Sequence, residues 1–417
     1  MKPITSFTLT LIALSCFFIS CSSDKKEDLP KDRNKRTVLV YMVGKTRDAV
    51  SGLLEKDFQE LKEGYELLPN NKEFDLLVFI SNDGRFQIPS LIKIEKNKLG
   101  EVVENVLEEY APEVNATDPQ FMENLMVKVF NRYKNDSYGL IMGSHADGWL
   151  PFPSISMRAF GDDNKRSINI TELAKVLNSV TNRISKPLDY LLFDACLMQS
   201  VEVAYELRHA TKYLIGSPAE IPGPGGPYHK MVSSLFDTNA NYSNKIVDSY
   251  FRHYDETYNE HQDGSNEKWT SGVAISSINT TYIEGYSNLV HKILVSSLSD
   301  KEEVNLNNIR HYDCRETANT YRGKSFYYDI QGVLSSIIGE SNQDSLDELV
   351  NIQSEMVYYK HTNKVFSAYT TNSYSLIPMS NSHGISMYVP RSGYNKMTEY
   401  YHSYEWYHIG GWKNLGW

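Results

Sequence analysis

Cysteine is scarce. Four occur in 417 residues, and two of these, Cys16 and Cys21, lie in an apolar leader. Only Cys196 and Cys314 remain for the folded part, too few for a disulfide scaffold. Neither has CxxC spacing, which argues against a cysteine-based zinc site. Basic excess is also missing. Lys and Arg number 42 against 52 Asp and Glu, and the net charge of −10 is spread along the chain. Nucleic acid is therefore not an expected partner, since phosphate binding needs a basic patch. The charge is compatible with basic substrates. No internal repeat or low-complexity linker stands out. What is present is the composition of a globular protein, 41% hydrophobic and 23% charged, long enough for one large or two modest domains. The 29 tyrosines suit a glycan- or peptide-binding surface or, more simply, a Tyr-rich core and surface.

The leader has a positive Lys2 and an apolar run from Phe7 to Ile19. That run is shorter than the roughly 20 residues a membrane-spanning helix needs and fits a secretory segment. It ends in Phe18-Ile19-Ser20-Cys21, which resembles a bacterial lipobox and implies that Cys21 is lipidated and becomes the first mature residue. A plain cleaved signal peptide is the alternative, and Cys16 is a poorer lipidation candidate. The polar stretch Cys21 to Asp28 reads as a solvated tether and resembles an export signal of surface lipoproteins. These features point to a lipid-anchored protein of a bacterial cell envelope, at the outer membrane or cell surface.

Buried strands are expected at 37–43, 74–80, 138–145, 188–196 and 213–216, because each is a short, nearly continuous apolar run. Helical segments fall between them at 46–66, 170–180 and 198–209. A hairpin is expected across 90–107, and Asp118-Pro119 opens a helix to about Tyr133. Residues 151–167 read as a loop. Alternation of strand and helix predicts an α/β/α sandwich with a largely parallel central sheet. Further strands are expected at 273–278 and 384–389. The segments read as a leader (1–20), a lipidated tether (21–36), a core (37–240) and a C-terminal extension packed on that core (241–417).

Sites in open parallel sheets form beyond the carboxyl ends of the strands. His145 ends one predicted strand and Cys196 the next. Neighbouring strands lie about 4.8 Å apart, so imidazole and thiol can meet at one rim. Nucleophilic catalysis by sulfur needs such a pair, because the thiolate attacks and a nearby His favours it. A helix starting just after Cys196 is expected to lower the thiol pKa further. By position alone, an inert buried thiol and a hydrogen-bonded surface histidine are the commoner reading of such a pair.

The local words add to this. Tyr138-Gly-Leu-Ile-Met-Gly-Ser-His145-Ala-Asp-Gly-Trp149 resembles the histidine block of clostripain-type cysteine peptidases, members of the caspase-like clan. Leu191-Leu-Phe-Asp-Ala-Cys196-Leu-Met198, followed by Glu202 and Ala204, resembles their cysteine block. Gly216-Ser-Pro-Ala-Glu220 and Gly384-Ile-Ser-Met-Tyr-Val-Pro390 resemble later strands of the family. The likeness spans about residues 37 to 417.

The resemblance implies a dyad in which Cys196 attacks a peptide carbonyl and His145 protonates the leaving amine. The N–H groups of Cys196 and Ala146 would hold the oxyanion, and a thioester would then be hydrolysed. No metal or other cofactor is needed. Some relatives depend on calcium, so calcium is possible by resemblance only, and no DxDxDG loop is present. The partner implied is a peptide or protein substrate, beside the membrane that the anchor would enter.

Two departures from the family stand out. Ala146 replaces the usual Gly after the histidine. Relatives that cut after Arg or Lys line the S1 pocket with an Asp two residues before the cysteine, here Asp194. They often add a second Asp in a Gly-Asp-Gly segment, where this chain has Gly223-Pro224-Gly225. Glu220 is the candidate replacement, and a basic P1 residue is favoured. The resemblance also implies self-cleavage in the 151–167 loop, with Arg158, Lys165 and Arg166 as candidate sites; an ordinary charged surface loop is the competing reading. Cys314 and His383 read as structural. The alternative for the whole chain is a catalytically weak surface lipoprotein that holds peptides in the same cleft.

Overall fold

The structure, a computed structural model, describes residues 32–46, 48–150, 160–260, 268–297, 304–313, 325–338, 343–367 and 375–417. Cys21, Arg158 and Cys314 lie outside them. No helix among the described residues is long and apolar enough to cross a membrane.

The strands are β1 (Asp32–Gly44), β2 (Lys72–Asn82), β3 (Ser90–Lys96), β4 (Val102–Glu109), β5 (Ser137–Gly143), β6 (Phe160–Asp163), β7 (Arg166–Ile168), β8 (Leu188–Asp194), β9 (Thr211–Gly216), β10 (Ala274–Asn279), β11 (Tyr327–Asp329), β12 (Val357–His361), β13 (Lys364–Ser367), β14 (Ser375–Pro378) and β15 (Ser386–Tyr388). The helices are α1 (Ala49–Glu66), α2 (Pro119–Arg132), α3 (Ile170–Ile184), α4 (Val201–Leu207), α5 (Tyr228–Leu235), α6 (Tyr242–Asp255), α7 (Ile283–Ser297), α8 (Ile330–Ile338), α9 (Gln343–Met356), α10 (Asn395–Tyr401) and α11 (Glu405–Ile409).

Among the described residues the central sheet has nine strands in the order β12-β10-β9-β8-β5-β1-β2-β3-β4. The neighbours from β9 to β2 run parallel. Antiparallel strands extend both edges, β3 and β4 on one side and β10 and β12 on the other. The continuous apolar runs have their physical reason here. Val38 to Val43 and Leu76 to Ile80 are fully buried, because helices cover both faces of a parallel sheet. Alternate residues feed two cores. Leu39, Tyr41, Leu140 and Leu191 face the layer of α2 and α3. Val40, Met42, Ile141 and Leu192 face the layer of α1, α5 and α6. Helix α1 buries Leu54, Phe58, Leu61 and Tyr65, a helical spacing that forms one apolar stripe. Helix α2 begins as its sequence predicts, with Asp118 accepting from the Phe121 N–H at 2.9 Å and Pro119 in the first turn.

Three segments differ from expectation. Residues 32–36, assigned to the tether, are strand. Arg36 is fully buried, donating to Ser137 Oγ and the Leu235 and Asp237 carbonyls and pairing with Asp189 at 3.2 Å. A guanidinium so saturated reads as solvent-facing in sequence, since its partners come from distant chain positions. Residues 160–168 are not loop; β6 and β7 form a hairpin. The strand expected at 384–389 shortens to β15 and pairs with β11 in a separate small sheet.

Glu202 ties these parts together. It is fully buried on α4, its Oε1 accepting from the Tyr388 N–H at 2.8 Å and its Oε2 from the Trp149 indole at 3.3 Å. One carboxylate thus joins the histidine block, the cysteine block and β15. Burial outweighs those donors and lifts its pKa to about 7. A carboxyl raised above its unfolded value of about 4.3 contributes stability that is complete below that pH and lost as pH rises through the folded value. Between about pH 5 and pH 8, wild-type stability should fall by on the order of 3 kcal/mol more than that of Glu202→Gln. Thermal or denaturant melts check this, and parallel slopes for the two proteins would refute it.

Candidate active site

The sheet order reverses beside β1: β2 follows on one side, and β5, β8 and β9 return on the other. In open α/β sheets ligand crevices form at such a switch point, here at the carboxyl ends of β1 and β5. Gly143 at the end of β5 is in register with Asp194 at the end of β8. His145 and Cys196 each follow two residues later, so the register carries them out at the same level of the rim.

His145 is braced from several sides. The Ser144 hydroxyl donates to the Val43 carbonyl, and the Gly161 N–H donates to the His145 carbonyl at 3.1 Å. The ring Nε2 lies 2.9 Å from Asp48 Oδ2. Asp48 was absent from the sequence expectations. It also caps α1, accepting from the Val50 N–H at 3.0 Å. Burial pushes its carboxyl up, but the Thr46 hydroxyl and the His145 ring outweigh this and hold it below its usual value. The signal for Asp48 was present in sequence only as an N-cap after a buried strand. Its contact with a residue 97 positions away needed the parallel pairing of β1 with β5.

Cys196 is half-buried, with the Ile221 N–H 3.4 Å from its sulfur. Burial pushes the thiol pKa up, the Glu220 carboxylate adds to this, and the Ile221 N–H pulls weakly the other way. This corrects the expectation of a thiol pKa lowered by a following helix and a histidine. Helix α4 starts only at Val201 behind a Ser200 cap, and its dipole fades within a turn. The described hydrogen bonds direct the His145 ring to Asp48.

Leu197 adopts φ 61°, a strained conformation for a residue with a Cβ, and its N–H donates to the Ala219 carbonyl at 2.9 Å. This turn takes the chain sharply out of β8 just after the thiol. The Ala146 and Cys196 amides have no acceptor among the described residues. Ala146 is not among the residues with positive φ, so its methyl costs no backbone strain there. The position that needs glycine is Gly148, at φ 73°, where a Cβ would lie 2.3 Å from the Tyr327 hydroxyl.

Asp194 is buried. Its Oδ2 accepts from the Gly226 N–H and the Tyr228 hydroxyl, both at 2.8 Å, and its Oδ1 from the Tyr250 hydroxyl at 3.2 Å. Glu220 is buried beside the thiol. Pro224 lies in a turn closed by the Gly225 N–H and the Pro222 carbonyl. Lys165 and Arg166 are at the β6–β7 hairpin, where Asn164 and Lys165 have φ 54° and 67° and Arg166 pairs with Asp163 at 3.0 Å. His383 lies apart in the fold, 2.8 Å from buried Asp329. No group of three or more metal-binding side chains occurs among the described residues.

A thiol, an imidazole and unengaged amides at the rim of such a sheet are equipped for acyl transfer through sulfur. The class so defined is that of the cysteine peptidases with a caspase-like sandwich. The chain belongs to the clostripain family, Peptidase C11, whose sequence model matches residues 40–417. It is similar to a secreted C11 cysteine protease from Bacteroides thetaiotaomicron, solved with an irreversible peptide inhibitor. The two are 32% identical with a TM-score of 0.78, over 91% of this chain and 99% of that one. An inactive zymogen C11 protease from Parabacteroides distasonis is 26% identical with a TM-score of 0.75, over the same shares. Clostripain of Hathewaya histolytica is 26% identical over 230 residues, 49% of this chain and 43% of its own length. The match therefore spans under half of that curated relative.

The two duties of Asp48 can be separated. Asp48→Ser keeps a capping oxygen but releases the His145 ring. Peptide turnover is expected to fall about tenfold or more through kcat, as when a base loses its orienting partner, with the melting temperature near wild type. Unchanged turnover would confine Asp48 to capping.

Proposed function

We propose that this protein is an exported cysteine endopeptidase that cuts after a basic residue by a His145–Cys196 dyad. The observation that carries this reading is the register of β5 on β8, which sends both residues out of the sheet at one level. His145 takes the Cys196 proton, and the thiolate attacks the scissile carbonyl. The Ala146 and Cys196 amides receive the oxyanion. His145 returns the proton to the leaving amine, leaving a thioester. A water molecule, deprotonated by His145, then attacks the thioester, and the acid product departs as the thiol is restored. A basic P1 side chain is supported by the buried carboxylate of Asp194 on the Cys196 strand.

A second element, implied by the family resemblance, is that the uncut chain is a precursor. Cleavage in the 151–167 segment would activate it. Peptidases bind substrates extended, so the turn and ion pair at Lys165 and Arg166 favour Arg158, which lies outside the described residues. The leader and Cys21, also outside them, make an envelope lipoprotein the corresponding proposal for location. The secreted C11 relative is consistent with export. Binding without catalysis loses one argument, since Ala146 avoids the strained backbone region.

Purified wild type is expected to cut itself once and then to hydrolyse fluorogenic peptides with P1 Arg or Lys. Cys196→Ala should stay a single chain, and Arg158→Ala should cut slowly or not at all. Gel analysis with intact mass checks both. A Cys196→Ala chain that still cuts itself, or a wild type inert before and after trypsin nicking, would overturn the reading.

A further inference from the structure

Asp194 is a poor lone receptor for a cation. Its two oxygens already accept three hydrogen bonds, which leaves little of the four-site capacity of a carboxylate. Asp57, on α1, presents the opposite situation. It is 3% exposed, no hydrogen bond reaches it among the described residues, and its Oδ1 is sealed from solvent without a partner. Both carboxylates close on the same point. A Cβ on Gly225 would lie 3.1 Å from Asp194 Oδ2 and 3.2 Å from Asp57 Oδ2. Gly225 sits at φ 77°, and its carbonyl accepts from the Tyr254 hydroxyl. Backbone without a side chain thus separates two buried acids. Burial and their mutual repulsion push the Asp57 carboxyl well up, and burial raises that of Asp194. Lys56 counteracts this at Asp57, and it is exposed. Paired buried acids with an orphaned oxygen either hold a proton or are joined by a cation, and a cation that enters lets both ionise.

We propose that Asp57 is the second acidic wall of the P1 pocket and, with Asp194, receives the guanidinium of a P1 arginine. This rests on the basic-P1 reading above and deepens it. It assigns the acid missing at Pro224 to a helix that precedes the cysteine block by well over 100 residues. A planar guanidinium with five donors can reach two separated carboxylates at once, whereas an ammonium is a compact point charge. Arginine is therefore preferred to lysine. Glu220, whose charge acts on the thiol, is not part of this proposal.

The test compares kcat/KM for matched peptides carrying P1 arginine, lysine or citrulline, the neutral isostere of arginine. Wild type is expected to favour arginine over citrulline by about 100-fold or more. Asp57→Asn should lose about 30-fold on arginine, mostly through KM, while citrulline changes little. If the variant folds poorly, Asp57→Ser and agmatine serve instead. Agmatine should raise the melting temperature of Cys196→Ala but not of Cys196→Ala/Asp57→Ser. An Asp57→Asn enzyme that keeps its arginine-to-citrulline ratio within about threefold of wild type overturns the role of Asp57 alone. A wild type that cuts citrulline peptides as well as arginine peptides overturns the basic-P1 reading and this proposal with it. A wild type that cuts no peptide overturns the enzyme reading itself.

Discussion

The pairing of β5 with β8 is the constraint on which the rest of this structure depends. Five registered pairs, ending at Gly143 with Asp194, decide what stands opposite what at the rim. A slip of one residue would turn every following side chain to the other face of the sheet. The slip is resisted from both sides, because alternate residues of each strand are committed to different cores. The level at which His145 and Cys196 leave the sheet is thus set by the burial of Leu140, Ile141, Leu191 and Leu192.

The rim is built from pieces distant in sequence, and each is fixed by polar contacts that leave few choices. Glu202 joins the two blocks to β15. Ser144 is pinned to β1, and His145 to Gly161 on the far side of the 151–159 segment. The Asp48 contact links the ring to the first turn of α1. A change at Gly161 or at the start of α1 therefore bears directly on the histidine. The Cys196 thiol is held in a state that opposes ionisation, since burial and the Glu220 charge both raise its pKa.

Much of the fold was legible in the sequence. The buried strands expected at 74–80, 138–145, 188–196 and 213–216, the hairpin at 90–107 and the Asp118 cap all appear within about two residues of expectation, while the strand expected at 37–43 starts five residues earlier, at Asp32. Continuous β-branched and apolar runs have few other uses in a globular chain. The illegible parts share one trait, in that their partners are far away in sequence. Arg36 looked like tether because Ser137, Asp189 and Leu235 saturate it only after folding. The β6–β7 hairpin looked like charged loop because its turn is built from Asn164 and Lys165 in left-handed conformation, without glycine at either position. The helix after Cys196 starts later than expected because Leu197 first reverses the chain.

By itself the sequence determined the α/β class, the order of histidine before cysteine on successive strands, and the family to which the words around them belong. Local hydrophobic pattern and short motifs carry that information. Only the tertiary structure decided that Asp48 holds the imidazole, that Ala146 needs no special backbone, that the thiol is pushed toward its protonated form, and that Asp57 closes on Asp194 across Gly225. The reason is the same in each case. Electrostatics and desolvation act through space over a few ångströms, and the parallel crossovers of this sheet bring together groups that the chain separates by tens to hundreds of residues.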